Sequence, residues 1–88
     1  MADAMTLPNA LDPAAVLAAA DLYAERLSNA ERRVVAVRLQ RYVRITRMDG
    51  RSGDALAFVD LTTGAILRAE SWRKPGRSVG RTVFEVIS

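Results

Sequence analysis

Between Arg68 and Arg81 the chain sets five bases (Arg68, Arg73, Lys74, Arg77 and Arg81) against one acid, Glu70, around its only tryptophan, Trp72. An arginine fork matches a phosphate or carboxylate in two parallel hydrogen bonds, and an indole ring stacks on a base or on a second cation. Gly76 and Gly80 let backbone N–H groups approach an anion, and Ser71, Ser78 and Thr82 add hydroxyl donors. Residues of these types at this density point to the binding of something negatively charged. A plainer reading stands beside it, with Trp72 closing the edge of a core and the cations on a solvated loop. A second basic line, Arg38, Arg41, Arg44 and Arg47, has a spacing of three. On a helix it forms a stripe; on a strand it divides between two faces, and Arg44 enlarges the patch if it shares a face with the loop cations.

Chemistry of other kinds is poorly supplied. The sequence holds neither histidine nor cysteine, so the commonest general base, the thiol nucleophile and the usual transition-metal ligands are missing. Asp49, Asp54, Asp60 and Glu70 lie at turns, where aspartate serves to shape the backbone. Gly76-Arg77-Ser78-Val79-Gly80-Arg81 lacks the spacing and the lysine of a phosphate-binding P-loop. The expectation is a binding protein rather than an enzyme, with no metal and no cofactor.

Charge is divided along the chain. Up to Glu31 there are five acids against one base; from Arg32 onward there are twelve bases against five acids, for a net +3. Such asymmetry directs the C-terminal part toward an anion. Twelve of the thirteen bases are arginine, a bias that a GC-rich genome also produces. With 88 residues the core is thin and no disulfide reinforces it, which favours a homo-oligomer. No signal peptide is legible and no apolar run approaches the roughly 20 residues that span a bilayer, so a cytoplasmic protein without a membrane partner is expected.

The elements that must position these residues read as an α+β domain over residues 11–88, after a flexible leader over residues 1–10. Asp12-Pro13 starts a helix, with Val16, Ala20, Tyr23, Leu27 and Ala30 at helical spacing and Leu17 and Ala24 widening the stripe. Ser28-Asn29-Ala30-Glu31 fits a capping box for a second short helix to about Val37, or a turn of one long helix. Arg33 to Leu39 suits a strand or a helix and is read as helix. Three strands follow, Arg41–Met48, Leu56–Asp60 and Ala65–Ala69, joined by turns at Asp49–Gly53 and Thr62–Gly64. Ser71 to Gly80 reads as a loop, and Arg81–Ile87 alternates as a final strand. One or two N-terminal helices are thus expected on an antiparallel sheet of about four strands.

The run Phe58-Val59-Asp60-Leu61-Thr62-Thr63-Gly64-Ala65-Ile66-Leu67, followed by Ala69-Glu70-Ser71-Trp72-Arg73-Lys74-Pro75, resembles a pattern in small phage-encoded proteins: a strand ending in aspartate, a Thr-Gly hairpin, and an Ala-x-Ser-Trp-x-x-Pro loop with basic residues. Proteins of this look include relatives of phage anti-Thoeris proteins. The resemblance covers about 30 residues and implies an oligomeric, non-enzymatic sponge that sequesters a cyclic-ADP-ribose-type immune signal in the host cytoplasm. It carries over the loop arginines, Trp72 and Phe84. Under it Arg73, Lys74, Arg77 and Arg81 neutralise phosphates while Trp72 or Phe84 stacks on the base, with Arg68 and Arg44 extending the patch. A nucleic-acid-binding regulator and an anti-CRISPR-like inhibitor of a host protein are the competing expectations.

Overall fold

The computed structural model describes residues 12–49 and 52–88; the leader over residues 1–10 and part of the Asp49–Gly53 turn lie outside them. Helix α1 (Pro13–Leu27) leads into β1 (Arg33–Arg38), β2 (Tyr42–Asp49), β3 (Ser52–Asp60), β4 (Ala65–Ala69) and β5 (Pro75–Thr82), and helix α2 (Val83–Ile87) follows. The strands form one antiparallel meander in the order β1-β2-β3-β4-β5. The fold is α+β, with five strands where the sequence suggests four.

Local chemistry accounts for α1. The Asp12 carboxylate accepts from the Ala14 N–H at 3.0 Å, and Pro13 occupies the first turn, where its missing N–H costs nothing. Val16, Ala19, Ala20 and Ala24 are buried on the sheet, the alanines letting helix and sheet approach closely. Tyr23, Leu27 and Leu17 complete the stripe, half-buried against the same core. Ala30 lies beyond the helix and is exposed.

Four expectations are corrected. Ser28 ends α1 rather than starting a second helix. Its hydroxyl donates to the Ala24 carbonyl at 3.0 Å and accepts from the Val34 N–H at 2.8 Å, so it pins the start of β1 to the helix end. Asn29 then accepts from the Glu31 N–H at 2.8 Å in a tight turn. Arg33–Arg38 is consequently a strand, not a helix: β-branched Val34, Val35 and Val37 suit the pleat, and all six residues pair with β2. The stretch read as loop to Gly80 holds most of β5, whose ladder with β4 slips twice in register, and this irregularity is what its glycines and Pro75 announce. The last segment is a helix from Val83 rather than a strand. Thr82 and Glu85 close a reciprocal capping box, with the Thr82 N–H donating to the Glu85 carboxylate at 2.7 Å and the Glu85 N–H to the Thr82 hydroxyl at 3.3 Å.

The core lies between the helices and one sheet face: Val34 from β1, Val43 and Ile45 from β2, Ala57 and Val59 from β3 and Ile66 from β4, with Val83 of α2. Alternation sends Val35, Val37, Tyr42, Arg44, Thr46, Phe58 and Leu67 to the opposite face. Among the described residues no helix covers that face, yet Phe58 and Thr46 are fully buried there. The Tyr42 ring meets Phe58 edge-on at 6.2 Å. Among the described residues, no helix is long and apolar enough to cross a membrane.

Candidate functional site

The β4–β5 hairpin does not gather the predicted site residues into one cluster. It distributes them to both sides of the sheet: Arg68, Arg77 and Arg81 belong to the strands, while Trp72 and Arg73 lie in the turn between them.

On the helix side, Arg68 sits opposite Ala57 in the β3–β4 ladder and so shares the core-facing side. With Arg81 it walls an open hollow of about 510 Å³ whose other walls include Tyr23, Leu56, Val79 and Val86. A second hollow of about 680 Å³ shares Arg68 and Ala69 with the first and adds Glu70, Gly76, Arg77 and Ser78. Arg68, Arg77 and Arg81 are exposed and form no ion pair with another described residue. Gly80, at φ +83, turns the backbone between Val79 and Arg81 through a conformation that side-chain-bearing residues rarely adopt, and its N–H donates to the Ser78 hydroxyl at 3.0 Å. Val79 and Arg81, two residues apart, both line the first hollow.

On the other side, the turn after β4 folds Trp72 back over the sheet. The Arg44 guanidinium lies 3.8 Å from the centroid of the indole ring, with its Nη1 donating to the Trp72 carbonyl at 3.3 Å and its Nε to the Thr46 hydroxyl at 3.3 Å. Burial and the nearby positive charge of Arg73 both make protonated Arg44 harder to hold, lowering its pKa from the usual arginine value. Arg44, Trp72 and Arg73 are therefore a group of their own, separate from Arg68, Arg77 and Arg81.

Two predicted residues belong to neither group. Lys74 pairs with Glu70 at 3.4 Å across the turn. Phe84 is half-buried on α2 and packs against the hydrophobic core, which keeps it from stacking beside Trp72. No protein-family model, curated protein or solved structure matches the chain.

Asp60 and Asp54 are both engaged within the fold. Asp60 accepts from the Thr62 N–H at 2.7 Å, the Thr62 hydroxyl at 2.6 Å and the Thr63 N–H at 3.3 Å, holding the turn that Gly64, at φ 76, completes. Burial pushes the Asp60 carboxyl up, but these hydrogen bonds and the charge of Arg41 together outweigh it and leave the pKa below the ordinary aspartate value. Asp54 is paired with Arg47 at 2.7 Å. Among the described residues no group of three or more Asp and Glu side chains is placed to hold a metal ion.

Tyr23, Leu56, Val79 and Val86 line the hollow but are not evident as site residues in the sequence. Tyr23 sits in the buried stripe of α1 and Leu56 begins an apolar run, so periodicity assigns both to packing. The one signal available is that tyrosine breaks an otherwise aliphatic stripe.

Proposed function

We propose that the chain is a non-enzymatic binding protein that sequesters a phosphate-bearing nucleotide in the hollow between α1, α2 and the β4–β5 hairpin. The observation that carries this reading is the combination of walls in the first hollow. Arg68 and Arg81 supply positive charge without a carboxylate partner among the described residues, next to the apolar surface of Leu56, Val79 and Val86 and the ring of Tyr23. A ligand with a flat, largely apolar part and an anionic part answers both kinds of wall. Arg77 extends the cationic side into the adjoining hollow. Charge-assisted arginine–phosphate contacts contribute about 1.5–3 kcal/mol each, so two or three of them with ring contact suffice for tight binding of a small ligand. The absence of histidine and cysteine supports binding without turnover.

Denaturing the purified protein and analysing the supernatant by absorbance and mass tests the reading. One released nucleotide per chain is expected, and R68A/R81A is expected to purify folded and empty. Retention of the same nucleotide by that variant overturns the assignment of the site. Binding of any single strand, with affinity falling steeply as salt rises, points to a nucleic-acid partner instead.

A further inference from the structure

Among the described residues, nothing covers the face of the sheet turned away from α1, and nothing packs on the outward face of α1. On the sheet, Val35, Val37, Tyr42 and Leu67 are half-buried, and Met48 and Trp72 are each 40% exposed. Beside this apolar surface stand Arg44 and Arg73, whereas Arg33 borders the hollow at the β1 edge that Asp21 and Glu25 also line. On α1, Ala15, Ala18 and Leu22 present an apolar stripe at helical spacing, with Leu22 47% exposed. Asp21 and Glu25, one turn apart and both exposed, stand beside it and have no ion-pair partner among the described residues.

We infer that these two surfaces are made for each other, so that α1 of one copy docks on the uncovered sheet face of the next. Three observations converge on a second copy as the occupant. Both surfaces are apolar at the centre. Their charges are opposite, the helix bringing Asp21 and Glu25 to a sheet that offers Arg44 and Arg73. The small side chains of Ala15 and Ala18 allow the close helix-on-sheet approach that Ala19, Ala20 and Ala24 already make on the inner side of α1. The alternative of two sheet faces meeting symmetrically sets Arg44 and Arg73 of each copy near the same residues of the other, which charge opposes.

The two surfaces are different patches of one protomer, α1 on one side of the sheet and Arg44, Trp72 and Arg73 on the other, so the contact is head-to-tail. Such a contact does not saturate at a dimer. It closes into a ring or continues as a stack of alternating helix and sheet layers. Docking also removes Arg44 and Arg73 from water while giving them carboxylates, which eases the crowding of positive charge around Trp72. The hollow that holds Arg68 and Arg81 is not part of this surface.

Light scattering on the eluting full chain, from micromolar to millimolar concentration, tests the contact. The wild type is expected to exceed the mass of two protomers and to shrink in 1 M salt, where the screening length falls to about 3 Å. D21K/E25K changes only exposed side chains and is expected to stay at one protomer with an unchanged circular dichroism spectrum. R73E, which leaves Arg44 on Trp72, is expected to weaken assembly with the spectrum likewise unchanged, and mixing it with D21K/E25K is expected to strengthen assembly because each then offers the other an opposite charge. A wild type that is monomeric throughout, or a D21K/E25K protein that assembles like the wild type, overturns the inference. So does a fixed dimer that ignores both variants.

Discussion

At the scale of single residues, Arg44 has a structural task as well as a charge. Its guanidinium fills the space between the sheet and the indole of Trp72 and fastens the turn through the Trp72 carbonyl. Arg44→Ala removes the cation from the ring and the anchor from the turn. A loss of about 0.5–1 kcal/mol in urea unfolding is expected, with a red shift of the tryptophan emission as water reaches the ring. Lysine is a poor replacement, since an ammonium cannot lie flat on the indole while bonding to both Trp72 and Thr46. Asp60 yields a pH dependence of definite sign. Its pKa is lowered by folding, so its contribution is fully present above the unfolded aspartate value of about 3.9 and disappears as pH falls through the lower folded value. The stability difference between the wild type and Asp60→Ala is accordingly expected to be constant near neutral pH and to narrow only below about pH 4. Denaturant titrations across that range measure it, and a gap that widens on acidification refutes the role given to the carboxylate.

At the scale of elements, α2 depends on its first turn. With five residues it is too short to persist by propensity, so the Thr82–Glu85 capping box, the bond from the Val83 N–H to the Gly64 carbonyl at 2.8 Å and the packing of Val83 hold it together. Thr82→Ala is expected to cost about 1 kcal/mol in thermal or denaturant unfolding. The same element shows where the sequence can and cannot be read. Val83, Val86 and Ile87 look like strand, and only the Thr-x-x-Glu spacing reveals the helix start. Asp12-Pro13 and the stripe behind it made α1 legible, and period-two patterning made β2, β3 and β4 legible. Arg33–Arg38 misleads because Ser28-x-x-Glu31 imitates a helix start, whereas the Ser28 hydroxyl is committed to Ala24 and Val34. The cationic segment from Arg68 to Arg81 is plain in the sequence. Its division into two groups is not, because that depends on where β4 ends and on the turn folding Trp72 back onto Arg44.

At the scale of the whole molecule, every strand pairs with its neighbours in the sequence and with no others, while α1 returns to cover the sheet and α2 packs beside it. Charge is segregated on the same plan, acidic on the helix that opens the described chain and basic on the hairpin near its end. An order of events follows from the meander. Pairings between adjacent strands close short loops, so the sheet can be laid down from β1 toward β5 as each strand emerges from the ribosome. Arg68, Arg77 and Arg81 all sit on the last two strands, and their hollow acquires its far wall only when Tyr23 and Val86 are in place. The proposed anion site is therefore complete only once β5 and α2 have joined the sheet. A chain released before that point is expected to carry the acidic helix and most of the sheet without binding the ligand.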